Sequence, residues 1–77
     1  MIIGADETEK ALKQGKVETL YLAANCPKEL KEDLMRYAEL AGCQAISLNE
    51  SNEELGAICR KPFFISVLAV RKDESQV

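Results

Sequence analysis

The sequence has no histidine and no tryptophan, only two tyrosines and two phenylalanines, and no long apolar run. Each shortage removes a class of answers. Without an imidazole there is no Ser–His or Cys–His pair and no ordinary histidine metal site, so the chain reads as non-catalytic and free of cofactors. No apolar stretch approaches the ~20 residues that cross a bilayer. The chain does not open on a basic segment followed by an apolar one, so it does not read as exported. Three cysteines, Cys26, Cys43 and Cys59, cannot all pair within the chain, and their spacing fits neither zinc nor a redox motif. They read as reduced thiols of a cytoplasmic protein. What is present is 77 residues at 47% hydrophobic and 30% charged, the composition of one small globular domain. The net charge of −3 argues mildly against nucleic acid, whose binders carry a basic footprint.

Hydrophobic periodicity alternates in type along the chain. Met1-Ile2-Ile3 is a strand stub, and Gly4-Ala5-Asp6 a turn with Asp6 as helix cap. A helix then runs from Glu7 to Gln14 and ends at Gly15. Val17 to Ala24 begins with alternation and becomes continuously apolar, as in a strand covered on both faces. Asn25-Cys26-Pro27 stops it, with Asn25 or Cys26 at the cap and Pro27 in the first turn. From Lys28, Leu30, Leu34, Tyr37, Ala38 and Ala41 form one helical stripe that closes at Gly42. Cys43 to Leu48 is a short strand. Ser51 with Glu54 three residues on is a capping box for a helix from Asn52 to Cys59. Phe63 to Val70 reads as a buried strand, and residues 70–77 as a frayed polar tail. The order β-α-β-α-β-α-β predicts a single α/β domain over residues 1–77. Its fold is a three-layer α/β/α sandwich with helices on both faces of a mixed four-stranded sheet.

Three features carry chemistry. A glycine turn opens the first helix, and helix starts suit anions. Here Asp6, Glu7 and Glu9 already place carboxylates there, and Glu7 with Lys10, three apart, also fits a plain surface ion pair. Gly56 within a short helix costs about 1 kcal/mol against alanine, which signals close approach to its backbone, by a ligand or by simple helix-on-sheet packing. Arg60 and Lys61 follow it directly. Cys26 at a helix start fits either a reactive thiol or a buried one, and no base or second cysteine stands at redox spacing.

Three blocks together resemble a known family. GADETEKALKQGKVETLYLAANCP, KELKEDLMRYAELAGCQAI and SNEELGAICRKPFFISVLAV, essentially Ile2 to Val70, are similar to the kink-turn RNA-binding ribosomal proteins of the L-seven-Ae and L-thirty-e type. The resemblance implies the sandwich read above and a binding mode. The glycine-opened helix enters the groove of a bent RNA stem at tandem sheared G·A pairs, and the E-L-G loop closes over bulged nucleotides. On this basis Gly4 allows close approach of the phosphate backbone, Glu7 accepts from guanine edges, and Lys10 reaches bases or phosphate. Glu54, Leu55 and Gly56 shape the loop, with Arg60 and Lys61 at its mouth. The implied RNA-binding set is completed by Ala5, Asp6, Lys13 and Asn25. Asp6 stands where relatives with the G-x-N-E-x-x-K motif have Asn, and a carboxylate has no hydrogen to donate. The family also has a further N-terminal helix that this sequence lacks, implying a reduced core or a partner covering that face.

The implied function is a non-catalytic component of the large ribosomal subunit. Its partners would be an rRNA kink-turn-like stem and other ribonucleoprotein components, in the cytoplasm, with no membrane, small-molecule substrate or metal. The alternative is an acidic protein-interaction module of the same fold, of stress-protein or release-factor C-domain type.

Overall fold

The computed structural model describes residues 1–72. Among them run β1 (Ile2–Ile3), α1 (Ala5–Lys13), β2 (Val17–Leu22), α2 (Lys28–Ala41), β3 (Gln44–Ser47), α3 (Asn52–Ile58) and β4 (Val67–Arg71). The mixed sheet has the order β1-β4-β2-β3, with β4 antiparallel to both neighbours and β2 parallel to β3. A parallel pair needs a crossover, which α2 supplies. The two-residue period of β2 divides the interior. Leu20 and Leu22 pack with Val67 and Ala69 of β4 against Ala11, Leu12, Leu34 and Ala38 of α1 and α2. Ala23 and Leu68 face the other way, onto Leu55 of α3 and Ile65. The expected three layers are therefore present, two helices on one face and one on the other.

Several boundaries differ from the sequence reading. Helix α1 starts at Ala5, not Glu7, and its cap is Gly4, not Asp6. Gly4 leaves β1 at φ 101°, donates its N–H to Val67 O at 3.0 Å and accepts from Thr8 N–H at 3.1 Å. The turn is thus complete before Asp6, whose carboxylate sits in the first turn, favourably placed for the helix dipole. Pro27 is itself the cap of α2, its carbonyl accepting from Lys31 N–H at 2.9 Å, so neither Asn25 nor Cys26 caps that helix. Ser51 does cap α3, accepting from Glu54 N–H at 3.2 Å.

The largest correction concerns the last strand. It begins at Val67, not Phe63, and Phe63 and Phe64 are 53% and 67% exposed. Ile65 N–H bonds instead to Asn52 O of α3, and only Ser66 O continues the β2–β4 pairing, accepting from Ala23 N–H, both at 2.9 Å. At its other end β4 includes Val70 and Arg71, which pair with Thr19 and Val17, so these two residues are not tail. Residues 73–77 of the expected frayed end lie outside the described residues.

Thr8 is completely buried on the inner face of α1, and its hydroxyl has no hydrogen-bond partner. An unsatisfied buried hydroxyl costs on the order of 1–3 kcal/mol. Thr8→Val, nearly the same shape without that hydroxyl, is expected to raise stability by about 1 kcal/mol in urea denaturation. A loss of stability would mean that the hydroxyl has a partner in solution.

Candidate functional site

The start of α1 and the loop between α3 and β4 meet at one end of the sandwich. They share an open groove of about 460 Å³ whose walls include Gly4, Ala5, Lys61, Phe63, Phe64 and Ser66, over a floor of Ile3, Leu30, Ile65 and Val67. The Gly4 N–H bond to Val67 O fixes one wall to the sheet. A Cβ on Gly4 would meet nothing within 4 Å, so the glycine serves its positive φ and leaves the helix entrance bare.

The opposite wall is built around Gly56. A Cβ at that position would collide with the carbonyl oxygen of Phe63 and stand 3.3 Å from its carbon. The close approach signalled by a glycine in a short helix is thus made by the chain's own loop. Leu55 and Gly56 are buried, so they can act on a ligand only through the loop they hold, whereas Glu54 is exposed. Asn25 belongs to the same scaffold. Its side chain accepts from Asn52 N–H at 2.8 Å and donates to Asn52 Oδ1 at 3.0 Å, tying the β2–α2 loop to the front of α3.

Arg60 and Lys61 terminate α3 through a pair of bonds, Arg60 N–H to Ala57 O at 3.0 Å and Lys61 N–H to Gly56 O at 2.9 Å. Arg60 adopts φ 57°, a left-handed conformation and the only positive φ of a non-glycine residue among those described. Helices α1 and α2 end on the same bond pattern, but with Gly15 and Gly42 in the left-handed position.

The remaining residues of the expected set do not line this groove. Asp6 is exposed on the first turn, and Glu7 and Lys10 face a second, smaller groove on the flank of α1. Lys13 points towards α2. It pairs with Glu9 at 3.1 Å and lies 5.2 Å from the centre of the Tyr37 ring. The hydrogen bond and charge of Glu9 hold its ammonium above the ordinary lysine range. Phe63, Phe64 and Leu30 were not among the expected site residues. The Pro-Phe-Phe run was legible as exposed aromatics beside two cations, but its β propensity favoured a strand.

The cysteines are free, and burial pushes the Cys26 and Cys43 thiols up, against the smaller opposing pull of Lys31 on Cys26. These are the opposite of activated nucleophiles. Among the described residues no group of three His, Cys, Asp or Glu side chains is placed to hold a metal, and no helix is long and apolar enough to cross a membrane.

The fold, a mixed four-stranded sheet between helices with a helix start and a loop meeting at one end, is shared with known proteins. A solved structure of a protein with unknown function from Bacillus halodurans C superposes with a TM-score of 0.84, covering 92% of this chain and 70% of that one. At 18% identity that likeness concerns the fold alone. In sequence, the large ribosomal subunit protein eL30 of Methanopyrus kandleri is 37% identical over 73 residues, covering 95% of this chain and 67% of the relative. The protein of the same name from Methanocaldococcus jannaschii is 39% identical over 70 residues, covering 91% and 64%. The chain thus spans about two thirds of the length of these relatives. Residues 1–77 match the profile of the Ribosomal protein L7Ae/L30e/S12e/Gadd45 family, and the chain belongs to that family.

Two tests follow from the site's construction. Gly56→Ala forces the Phe63 carbonyl away, and overpacking of this kind costs about 1–3 kcal/mol; denaturation of the variant is expected to show that loss, and an unchanged midpoint would mean that the loop yields freely. The raised thiol pKa values mean that the folded chain keeps protons the unfolded chain releases. Their contribution to stability is therefore present below the unfolded thiol value of 9.0 and lost as pH rises above it. Correspondingly, iodoacetamide at pH 8 should modify Cys26 more slowly than a free peptide thiol.

Proposed function

We propose that this chain is a non-catalytic RNA-binding component of the large ribosomal subunit that holds a kink-turn or similarly bent stem. The observation that carries the reading is the single groove shared by Gly4 and Ala5 on one wall and by Lys61, Phe63 and Phe64 on the other. Family membership and relatives named large ribosomal subunit protein eL30 support it. Its partners are then rRNA and neighbouring ribosomal proteins, and its compartment the cytoplasm.

The groove suits a distorted RNA better than a regular duplex. The bare Gly4 entrance admits a sugar-phosphate backbone to the first-turn N–H groups of α1. Exposed aromatic rings stack on bases that are already unpaired, worth about 1–3 kcal/mol per base, and they find no such bases in an intact helix. Arg60 and Lys61 neutralise phosphates at the mouth of the loop. Outside this groove, on the flank of α1, Glu7 accepts hydrogen bonds from exposed guanine edges, a contact available only where sheared pairs turn those edges outward. Asp6 contributes no donor and serves the helix dipole instead.

Titration at physiological salt against a kink-turn RNA, and against a control lacking the tandem G·A pairs, is expected to favour the former. Equal or absent binding to both would sink the reading. Lys10→Ala is expected to weaken binding and Lys31→Ala, on α2, to leave it unchanged. Arg60→Gly separates roles: it should leave the fold at least as stable, because glycine suits φ 57°, while weakening the complex.

A further inference from the structure

Strand β3 closes the sheet on one side and, among the described residues, pairs only with β2. Leu48 N–H bonds to Leu22 O at 2.8 Å, which continues that pairing and fixes its phase. In a parallel pair alternate residues bond to the neighbour. The N–H and C=O groups of Gln44 and Ile46 therefore point to β2, and those of Ala45 and Ser47 point outward. Natural proteins blunt such an edge with charge, proline or a covering element. The four residues of β3, Gln-Ala-Ile-Ser, carry neither charge nor proline, whereas the opposite edge, β1, is only two residues long. We propose that the free edge of β3 is a docking strand for an extended basic segment of another protein, which adds to the sheet as a further strand.

A groove beside this edge selects the chemistry of the segment. It lies between α2 and β3, holds about 550 Å³, and has Met35, Ala38, Cys43 and Ala45 as its apolar floor. Met35 is 42% exposed there. The rim carries Glu32 and Glu39 with one cation, Arg36. Arg36 lies 3.9 Å from Asp33 and Glu32 4.0 Å from Lys28, whereas Glu39 enters no ion pair among the described residues. Side chains of an added strand point alternately to its two faces. Those on the α2 side cross an apolar floor towards a net negative rim, which suits the apolar stem and cationic head of lysine or arginine. Those on the other side meet Ile46, half-buried beside its β2 partner Tyr21, which suits a β-branched residue. Glu32 and Glu39 stand two helical turns apart, about 10 Å. Alternate residues of a strand are about 7 Å apart, a difference that two flexible lysine chains bridge.

Charge decides between the possible occupants. A nucleic acid would bring phosphates to the carboxylates of Glu32 and Glu39. A second copy pairing through its own β3 would place both α2 helices on the same face of the doubled sheet, with two acidic rims opposed. A basic segment meets neither objection. Its main-chain bonds to Ala45 and Ser47 supply attachment, and its alternating side chains supply selection. The groove shares no lining residue with the one walled by Phe63 and Phe64 or with the flank of α1, so this docking does not depend on RNA binding.

The probe is an acetylated and amidated peptide alternating lysine and valine over about six residues, the length of an ordinary strand. It is titrated into the full chain, with the backbone amides followed by NMR. One control peptide has glutamate for lysine, and another is N-methylated at every residue, which removes its main-chain donors. The expected result is saturable shifts centred on Cys43, Ala45 and Ser47, slower hydrogen exchange at the Ala45 and Ser47 amides, and binding of neither control. Ser47→Pro removes one outward donor at a place where an edge strand tolerates proline. It should weaken binding about three- to tenfold, the worth of one hydrogen bond, while Ser47→Ala binds as the parent does. Glu39→Lys should also weaken binding, by a margin that fades as salt is raised. Equal binding of the glutamate peptide, shifts centred on β1 or on the Phe63 loop, an unchanged affinity of Ser47→Pro, or no saturable shift at millimolar peptide overturns the proposal. So does a dimer of the parent chain in sedimentation with the Ala45 and Ser47 amides already protected, which would assign the edge to a second copy.

Discussion

The contact of the Phe63 carbonyl with the bare Cα of Gly56 governs the geometry of the end of the sandwich where the α3–β4 loop meets the start of α1. With a side chain at position 56 the loop could not lie against α3, and the bonds from Ile65 to Asn52 and from Ala23 to Ser66 would lose their alignment. The Ile65 bond turns residues 63–65 away from the sheet, and pairing with β2 begins only after them. Because the strand starts late, Phe63 and Phe64 remain on the surface instead of entering the second core. A single missing Cβ thus leaves Phe63 and Phe64, two residues of high strand propensity, as part of the wall of a groove. The cost of glycine in a helix, about 1 kcal/mol, is small beside that consequence.

The same short helix carries a second departure from local preference. The three helices end on equivalent pairs of hydrogen bonds, and two of them put glycine where the chain turns left-handed. Helix α3 puts Arg60 there, at a cost of about 1 kcal/mol or more for an L residue. The arginine is exposed, and no packing requires it. The bonds of the turn, Arg60 N–H to Ala57 O and Lys61 N–H to Gly56 O, hold the backbone at this position. The strained position thus carries a cation next in sequence to Lys61, which lines the groove.

Much of this was legible in the sequence. The alternation of elements, the stripe of α2, the Ser51 cap and the glycine stops of α1 and α2 all follow from spacing and turn chemistry. The parts that were not legible share a cause: long-range backbone hydrogen bonds outweighed local propensity. Phe63 to Ile65 looks like strand because phenylalanine and isoleucine favour one, yet the Ile65 N–H bonds to Asn52 of α3. Asp6 looks like a cap, but the bond of Gly4 to Val67 starts the helix earlier. Asn25 looks like the cap of α2 and instead braces the start of α3, 27 residues away in sequence. For the site, the glycine turn and the Arg-Lys pair were visible, whereas the division of α1 into two flanks, with Lys13 turned towards Tyr37, needed the packing of α1 on α2.

Net charge proves too coarse a measure for a chain of this size. Screening limits the reach of an exposed charge to about 8 Å at physiological salt, while a nucleic-acid strand samples only the face it touches. The carboxylates of α2, Glu29, Glu32, Asp33 and Glu39, belong to a helix packed against one face of the sheet, and Lys28 and Arg36 partly offset them through contacts of 4.0 and 3.9 Å with Glu32 and Asp33. Of the cations, Arg60 and Lys61 fall at the loop, and Lys10, Lys16 and Arg71 along the flank of α1. The acidic face of α2 would repel any polyanion approaching that helix. An overall charge of −3 is therefore compatible with cations gathered on a face away from α2.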